Sequence, residues 1–246
     1  MTIDERRKRA LVWLEDVYSE YKQAGIKYRV FSEVNKMFGN PKLIGLDNTF
    51  HAWMFDVYTD SIALAVRRQV EPGKYPNGKS RNIISLRALL EELANYPEII
   101  TRDYYRSLGN PRPAGVADAE FDNWVGVGEA QIIKSVVEGE IQELEKVSDI
   151  VRRYVNRTIA HKSQNPPTDI PSHEDIDGCF KGIAKLIARY YLLMKSTSIG
   201  PAEPHPDSPL TGVFRKPTEE EMIMIPLITS DWKGIFRIPW LHEKTP

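Results

Sequence analysis

The sequence has little of several features that would have assigned a function at once. It has a single cysteine, Cys179, which excludes an internal disulfide and a zinc site built from cysteine clusters. Because Cys179 lies in an apolar stretch of helical period, we expect a packed thiol rather than a nucleophile. No window approaches 18 consecutive apolar residues, so no membrane-spanning helix is expected. The formal net charge of −1 gives no global attraction for nucleic acid, and any such binding must come from a local patch.

Targeting signals and phosphate-binding loops are absent as well. The N-terminal segment 4–9 is charged and leads into an amphipathic helix, whereas a signal peptide would have an apolar core. Gly126-Val127-Gly128 has neither the preceding strand nor the rest of the pattern that a dinucleotide-binding loop requires. The acidic face of the long helix that contains Glu138 lacks the histidine spacing of a metal site. The sequence therefore predicts a cytoplasmic protein with no cofactor and no metal.

Apolar residues recur at helical spacing through most of the chain. This pattern predicts a first helix from about residue 4 to residue 24, with Gly25 as its stop, and a shorter helix over 29–38. A further long helix is predicted over 47–70, and its apolar face is broad enough for burial on more than one side. That face is formed by Phe50, Trp53, Met54, Val57, Ile62, Leu64 and Ala65.

Local capping signals mark two more helices. Ser85 is predicted to be the N-cap of a helix that stops before Pro97. Ser172 and Asp175 have the approximate spacing of a capping box at the start of a final helix. The glycine- and proline-rich segment 108–128 is predicted to be a connection with a short turn.

A long helix is predicted from Glu129 to about Lys162, where apolar residues recur in steps of three and four. No proline interrupts this stretch, and Gly139 alone would cost only about 1 kcal/mol, so the helix should be continuous.

The predicted fold class is all-α. Residues 1–198 are expected to form an antiparallel bundle of about four long helices plus short helices. Residues 199–246 are rich in proline at their start and partly apolar over 222–240, so we expect an irregular tail that packs on the helical body or on a partner. Strand signals are scarce and limited to this tail.

The segment 152–161 is where the sequence indicates chemistry. Arg153, Arg157 and His161 are spaced i, i+4, i+8, and on an ideal α-helix they drift only about 80° around the axis. Two cations and one group that titrates near neutral pH would then share a face that can bind an anion or a phosphate. Alternatively, the arginines form a solvated face near a helix C-terminus, where cations favour the helix dipole, and His161 is a cap.

This segment also resembles the signature of a known superfamily. Asn156-Arg157-Thr158-Ile159-Ala160-His161-Lys162 is similar to the motif of the HEPN proteins, in which four to six residues separate an arginine from a histidine. Upstream, a helix ending in Ala65-Val66-Arg67-Arg68, then a loop, then Ile84–Leu90 resembles the AbiU-like branch, which is associated with abortive infection against phage. The resemblance covers roughly residues 1–198.

The resemblance implies a homodimer whose motif helices meet in a metal-independent ribonuclease site. Arg153 or Arg157 would hold the RNA phosphate and His161 would be the acid–base group. Further substrate contacts would come from Asn156, Arg152 and Lys162. Three residues separate Arg157 from His161 and seven separate Arg153 from it, so both arginines are displaced from the family position and weak or absent cleavage is expected.

A cognate antitoxin or another partner protein would fit the same resemblance. A second hypothesis comes from a different class, in which the chain is a catalytically inactive helical module that binds a partner protein or a nucleotide, with the apolar tail as its docking element.

Overall fold

A computed structural model of the chain describes residues 1–38, 48–75, 77–79, 81–109, 115–159 and 170–199, without the side chains of 32–38, 48–52 and 173. The segment predicted to be a tail lies outside these residues from position 200 onward, so its packing and the domain boundary stay predictions. None of the described helices is long and apolar enough to cross a membrane.

The described residues are helical, with no strand among them, which confirms the predicted all-α class. They contain one isolated bridge, between Thr101 and Gln131. The α-helices are α1 (Ile3–Phe38), α2 (Asn48–Gln69), α3 (Leu86–Asn95), α4 (Arg102–Ser107), α5 (Val116–Trp124), α6 (Lys134–Tyr154) and α7 (His173–Lys195). A 3-10 turn covers Pro97–Ile99, and a π-helical turn covers Val155–Ile159.

The four longest helices form the core. Helix α1 packs on α2 and α7, and α6 packs on α2, α3 and α7. This arrangement fits the predicted bundle of four long helices. Side chains that are wholly buried at its centre include Leu14, Ile62, Leu89, Leu93, Val151, Val155 and Ile187.

The first helix is longer than predicted. Helix α1 continues through Gly25 to Phe38, so the stop at Gly25 and the separate helix beyond it are both wrong. Aromatic packing on either side of the glycine stabilises the continuous helix. Before the glycine, Tyr21 stacks on Phe180 with 4.4 Å between the ring centroids. Beyond the glycine, the ring of Phe31 stacks on Tyr58 at 3.8 Å. Burial of such rings is worth more than the roughly 1 kcal/mol that a helical glycine costs.

The predicted cap of α3 is confirmed. The Ser85 hydroxyl oxygen accepts a hydrogen bond from the backbone N–H of Ala88 at 2.9 Å and donates to the carbonyl of Glu71 at 2.6 Å. The first N–H of the helix, on Leu86, donates to the side-chain oxygen of Gln69 at 3.1 Å. Two of the free donors at the helix start are thus satisfied by buried side chains.

The segment predicted to be a connection, 108–128, contains helix α5, so that prediction is only partly right. Nonlocal contacts stabilise this short helix, because Arg102 donates to Asp122 at 2.5 Å and to Asp118 at 3.3 Å. Phe121 supplies its buried anchor.

Helix α6 differs from its predicted bounds at both ends. It begins at Lys134 instead of Glu129, because the preceding residues are extended and pair with the chain near residue 100. The N–H of Ile132 donates to Ile100 at 3.1 Å, and the N–H of Arg102 donates to Ala130 at 2.8 Å. The helix is unbroken at Gly139, as predicted. At its other end the chain changes from α- to π-helix after Tyr154, and 160–169 lie outside the described residues.

Helix α7 confirms two predictions. Ser172 and Asp175 form a complete capping box, in which each side chain accepts from the other residue's backbone N–H. The Cys179 thiol is buried and contacts the carbonyl of Val147 at 2.9 Å. Burial raises the pKa of this thiol to about 11, as expected for a packed cysteine that is not a nucleophile.

Candidate functional site

The structure places four of the six predicted site residues on one short stretch. Arg152 and Arg153 lie on the last turn of α6, and Asn156 and Arg157 lie on the π-helical turn that follows. His161 and Lys162 are outside the described residues, so the predicted convergence of His161 with the arginines is untested.

The π-helical turn (Val155–Ile159) sorts its side chains into buried and exposed. Val155 is wholly buried and Ile159 packs against the core, whereas Asn156, Arg157 and Thr158 face solvent. A π-helix pairs each residue with the one five positions on, so its angular step differs from that of an α-helix. The face calculated for Arg153 and Arg157 on an ideal α-helix therefore does not apply beyond Tyr154, and the place of His161 relative to them stays a prediction.

Asn156 is held in place by helix α2. The Nε of Arg67 donates a hydrogen bond to Asn156 Oδ1 at 2.9 Å. Arg67 is itself held by an ion pair with Glu71 at 2.8 Å, one helical turn further along the chain. Sequence reasoning noted Arg67 only as part of the family resemblance and missed its place at the site. The two adjacent cations at the C-terminal end of α2 were the available signal.

A second contact ties α2 to the end of α6. The hydroxyl of Tyr154 lies beside the carboxylate of Asp60. Burial, together with the neighbouring charge of Asp56, raises the pKa of Asp60, and burial and both carboxylates raise the pKa of Tyr154. The chain just before Arg157 thus contacts α2 at two residues, Tyr154 and Asn156.

Arg152 and Arg153 both form an ion pair with Asp149. Arg152 Nη2 lies 2.9 Å from one oxygen of Asp149, and Arg153 Nε lies 3.0 Å from the other. The hydrogen bond from Arg152 is the main influence that lowers the pKa of Asp149, and the charges of both arginines lower it further. One carboxylate thus faces two guanidinium groups at this helix end.

Arg157 is exposed, and it differs from Arg152 and Arg153 because no ion pair joins it to a carboxylate among the described residues. An exposed guanidinium can bind an anion from solvent. Together with Asn156, Arg152 and Arg153, Arg157 forms what we call the motif surface. No group of three or more metal-binding side chains occurs among the residues with described positions.

Chemically, the motif surface suits an anion with several oxygens. It offers guanidinium forks and the amide N–H groups of Asn156, whose carbonyl oxygen is already occupied by Arg67.

Comparison of the chain with models of protein families, with curated proteins and with solved structures found no match.

Proposed function

We propose that this chain is a HEPN-like protein of the abortive-infection type that binds RNA phosphates through the motif surface. The observation that carries the proposal is the exposed Arg157 next to Asn156, which is hydrogen-bonded to Arg67 of α2. A cation on an anchored turn can bind a phosphate without first being ordered, which lowers the entropic cost of binding.

The pairing of Arg152 and Arg153 with Asp149 does not oppose this role. All three side chains are between 41% and 46% exposed, and ion pairs between groups this exposed contribute at most about 1 kcal/mol. An RNA phosphate can likewise present one oxygen to each of the two arginines and replace the carboxylate at little cost. Asp149 would then occupy the phosphate position in the free protein.

Cleavage is the stronger form of the proposal, and it depends on His161. In this reaction the ribose 2′-hydroxyl would attack the adjacent phosphorus, and the 5′-oxygen of the next nucleotide would leave. His161 would take the proton from the hydroxyl or return one to the leaving oxygen, while Arg157 or Arg153 holds the phosphate oxygens. The displaced spacing of the arginines leads us to expect weak or absent cleavage, so RNA binding is the main claim.

A catalytically inactive module that binds a partner protein, such as an antitoxin, or a nucleotide remains the second candidate. It is favoured by the internal pairing of Arg152, Arg153 and Asn156, which would also suit a purely structural helix end. Under this hypothesis Arg157 alone would be left for a ligand. The homodimer that the resemblance implies, with paired motif helices, also remains a proposal.

The test is incubation of the purified protein with a mixed RNA pool, with binding and cleavage measured in parallel. We expect retention of RNA on the wild type and on His161→Ala, and loss of any cleavage in that variant. Any cleavage should persist in a chelator, because the proposed reaction uses no metal. Robust cutting that His161→Ala leaves unchanged would place the site elsewhere, and no retention of RNA by the wild type would favour the second candidate.

A further inference from the structure

The loop between α2 and α3 combines cations with an exposed aromatic ring. Lys74 and Lys79 are exposed, and Tyr75 between them is 49% exposed. At the end of the loop, the guanidinium carbon of Arg81 lies 4.9 Å from the centroid of the Tyr75 ring. Proteins that bind single-stranded nucleic acid combine such groups, because cations follow the phosphates and aromatic rings stack on the bases. The loop therefore has the chemistry of a single-strand contact.

Backbone hydrogen bonds hold this loop in place. The N–H of Tyr75 donates to the carbonyl of Lys79 at 2.9 Å, and the N–H of Arg81 donates to the carbonyl of Gly73 at 3.0 Å. The N–H of Gly73 in turn donates to the carboxylate of Glu91 on α3 at 3.0 Å. A ring on an ordered loop can stack on a base without the entropic cost of first ordering the loop.

A series of contacts joins the loop to the motif surface. Arg67 Nε donates to Asn156 of the motif surface at 2.9 Å, and Arg67 Nη1 lies 2.8 Å from one carboxylate oxygen of Glu71. The other oxygen of Glu71 forms an ion pair with Arg81, which lies over Tyr75. The Glu71 side chain is 13% exposed, against 30% for Arg67 and 25% for Arg81. The two arginines thus present more of their side chains to solvent than the carboxylate that orients them.

We infer that one single strand of RNA binds along this series, with phosphates on the motif surface and one base stacked on Tyr75. The inference rests on the proposed function, because the motif surface supplies the first phosphate contact. Lys74 and Lys79 then contact the phosphates that flank the stacked base. The ligand is a single strand because its unstacked bases offer their faces to an aromatic side chain, whereas the bases of a duplex are stacked on one another.

The experiment measures the affinity for a single-stranded RNA of about 12 nucleotides at several salt concentrations. Tyr75→Leu should weaken binding at least fivefold, since one stacked base contributes a factor of about five to about 150. The slope of log affinity against log salt should stay that of the wild type, because stacking releases no counterions. Tyr75→Phe, which keeps the ring, should keep the affinity. Lys79→Ala should lower the slope by about 0.7.

Two controls separate stacking from other effects. Trp124→Leu removes a ring that is 44% exposed from α5, a helix that packs on α4 and α7, and it should leave RNA binding unchanged. A ribose-phosphate strand of the same length without bases should bind to Tyr75→Leu and to the wild type with equal affinity. Because Tyr75 and Lys79 are exposed, circular dichroism should show the variants folded.

The outcomes distinguish this inference from the proposed function. If Arg157→Ala weakens RNA binding and Tyr75→Leu does not, the inference is overturned and the proposed function stands. If the wild type retains no RNA, both are overturned. Equal losses of affinity in Tyr75→Phe and Tyr75→Leu would overturn the stacking, as would an equal loss for the strand without bases. An effect of Tyr75→Leu without any effect of Arg157→Ala would overturn the shared path of the strand.

Discussion

Replacement of Ser85 by alanine should destabilise the fold more than any other single cap substitution in the described helices. The Ser85 hydroxyl is wholly buried and forms two hydrogen bonds, accepting from Ala88 and donating to Glu71. Loss of an N-cap costs about 1 kcal/mol. The part-buried carbonyl of Glu71, left without its donor, adds about 1–3 kcal/mol. We therefore expect a loss of about 2–4 kcal/mol in the free energy of unfolding.

The matched control is Ser172→Ala. Ser172 caps α7 with the same geometry but is exposed, so water replaces its hydrogen bonds and the expected loss is only about 1 kcal/mol. Urea denaturation followed by circular dichroism measures both variants, and the dependence on urea should match that of the wild type. Equal losses in the two variants would refute the reasoning, because burial would then not decide the cost.

Two further predictions concern α7. The native protein should resist alkylation at pH 8 until it is unfolded, because Cys179 is buried and its thiol pKa is raised to about 11. Rapid modification of the folded protein would contradict this prediction. The capping hydrogen bonds from Ser172 lower the pKa of Asp175 below its ordinary value of 3.8 in the folded state. The ionised carboxylate therefore stabilises the fold above pH 3.8, and this stabilisation is lost as the pH falls through the folded pKa. Asp175→Asn should therefore lower the urea midpoint at pH 7, and the difference in midpoint between the variant and the wild type should shrink below about pH 4. A difference in midpoint that does not change with pH would argue against a role for the charge of Asp175.

The helices that sequence reasoning placed well are those with local signals. Ser85 starts α3 and Ser172 with Asp175 starts α7, because a cap is formed by residues within three positions of each other. The predicted helix bounds were wrong where contacts between residues far apart in the sequence determine where a helix begins or ends. Helix α1 continues through Gly25 because Tyr21 before it and Phe31 after it stack on rings of α7 and α2. Helix α6 starts at Lys134 because the chain before it pairs with residues near 100.

In the candidate site, too, the local features could be predicted from the sequence and the long-range contacts could not. The clustering of Arg152, Arg153 and Asn156 near the end of α6 follows from their order in the chain. The π-helical turn and the contact of Asn156 with Arg67 could not be predicted, because no periodicity in the sequence marks a π-helix and 89 positions separate the two hydrogen-bonded residues.

The measurement that tests the central claim most directly is the salt dependence of RNA binding by Arg157→Ala. Each phosphate contact to single-stranded nucleic acid contributes about 0.7 to the slope of log affinity against log salt concentration. The variant should bind a single-stranded RNA more weakly than the wild type, with a slope smaller by about 0.7. Lys185→Ala, which removes an exposed cation from α7, should change neither value. If Arg157→Ala binds with the affinity and the slope of the wild type, the motif surface is not a phosphate site.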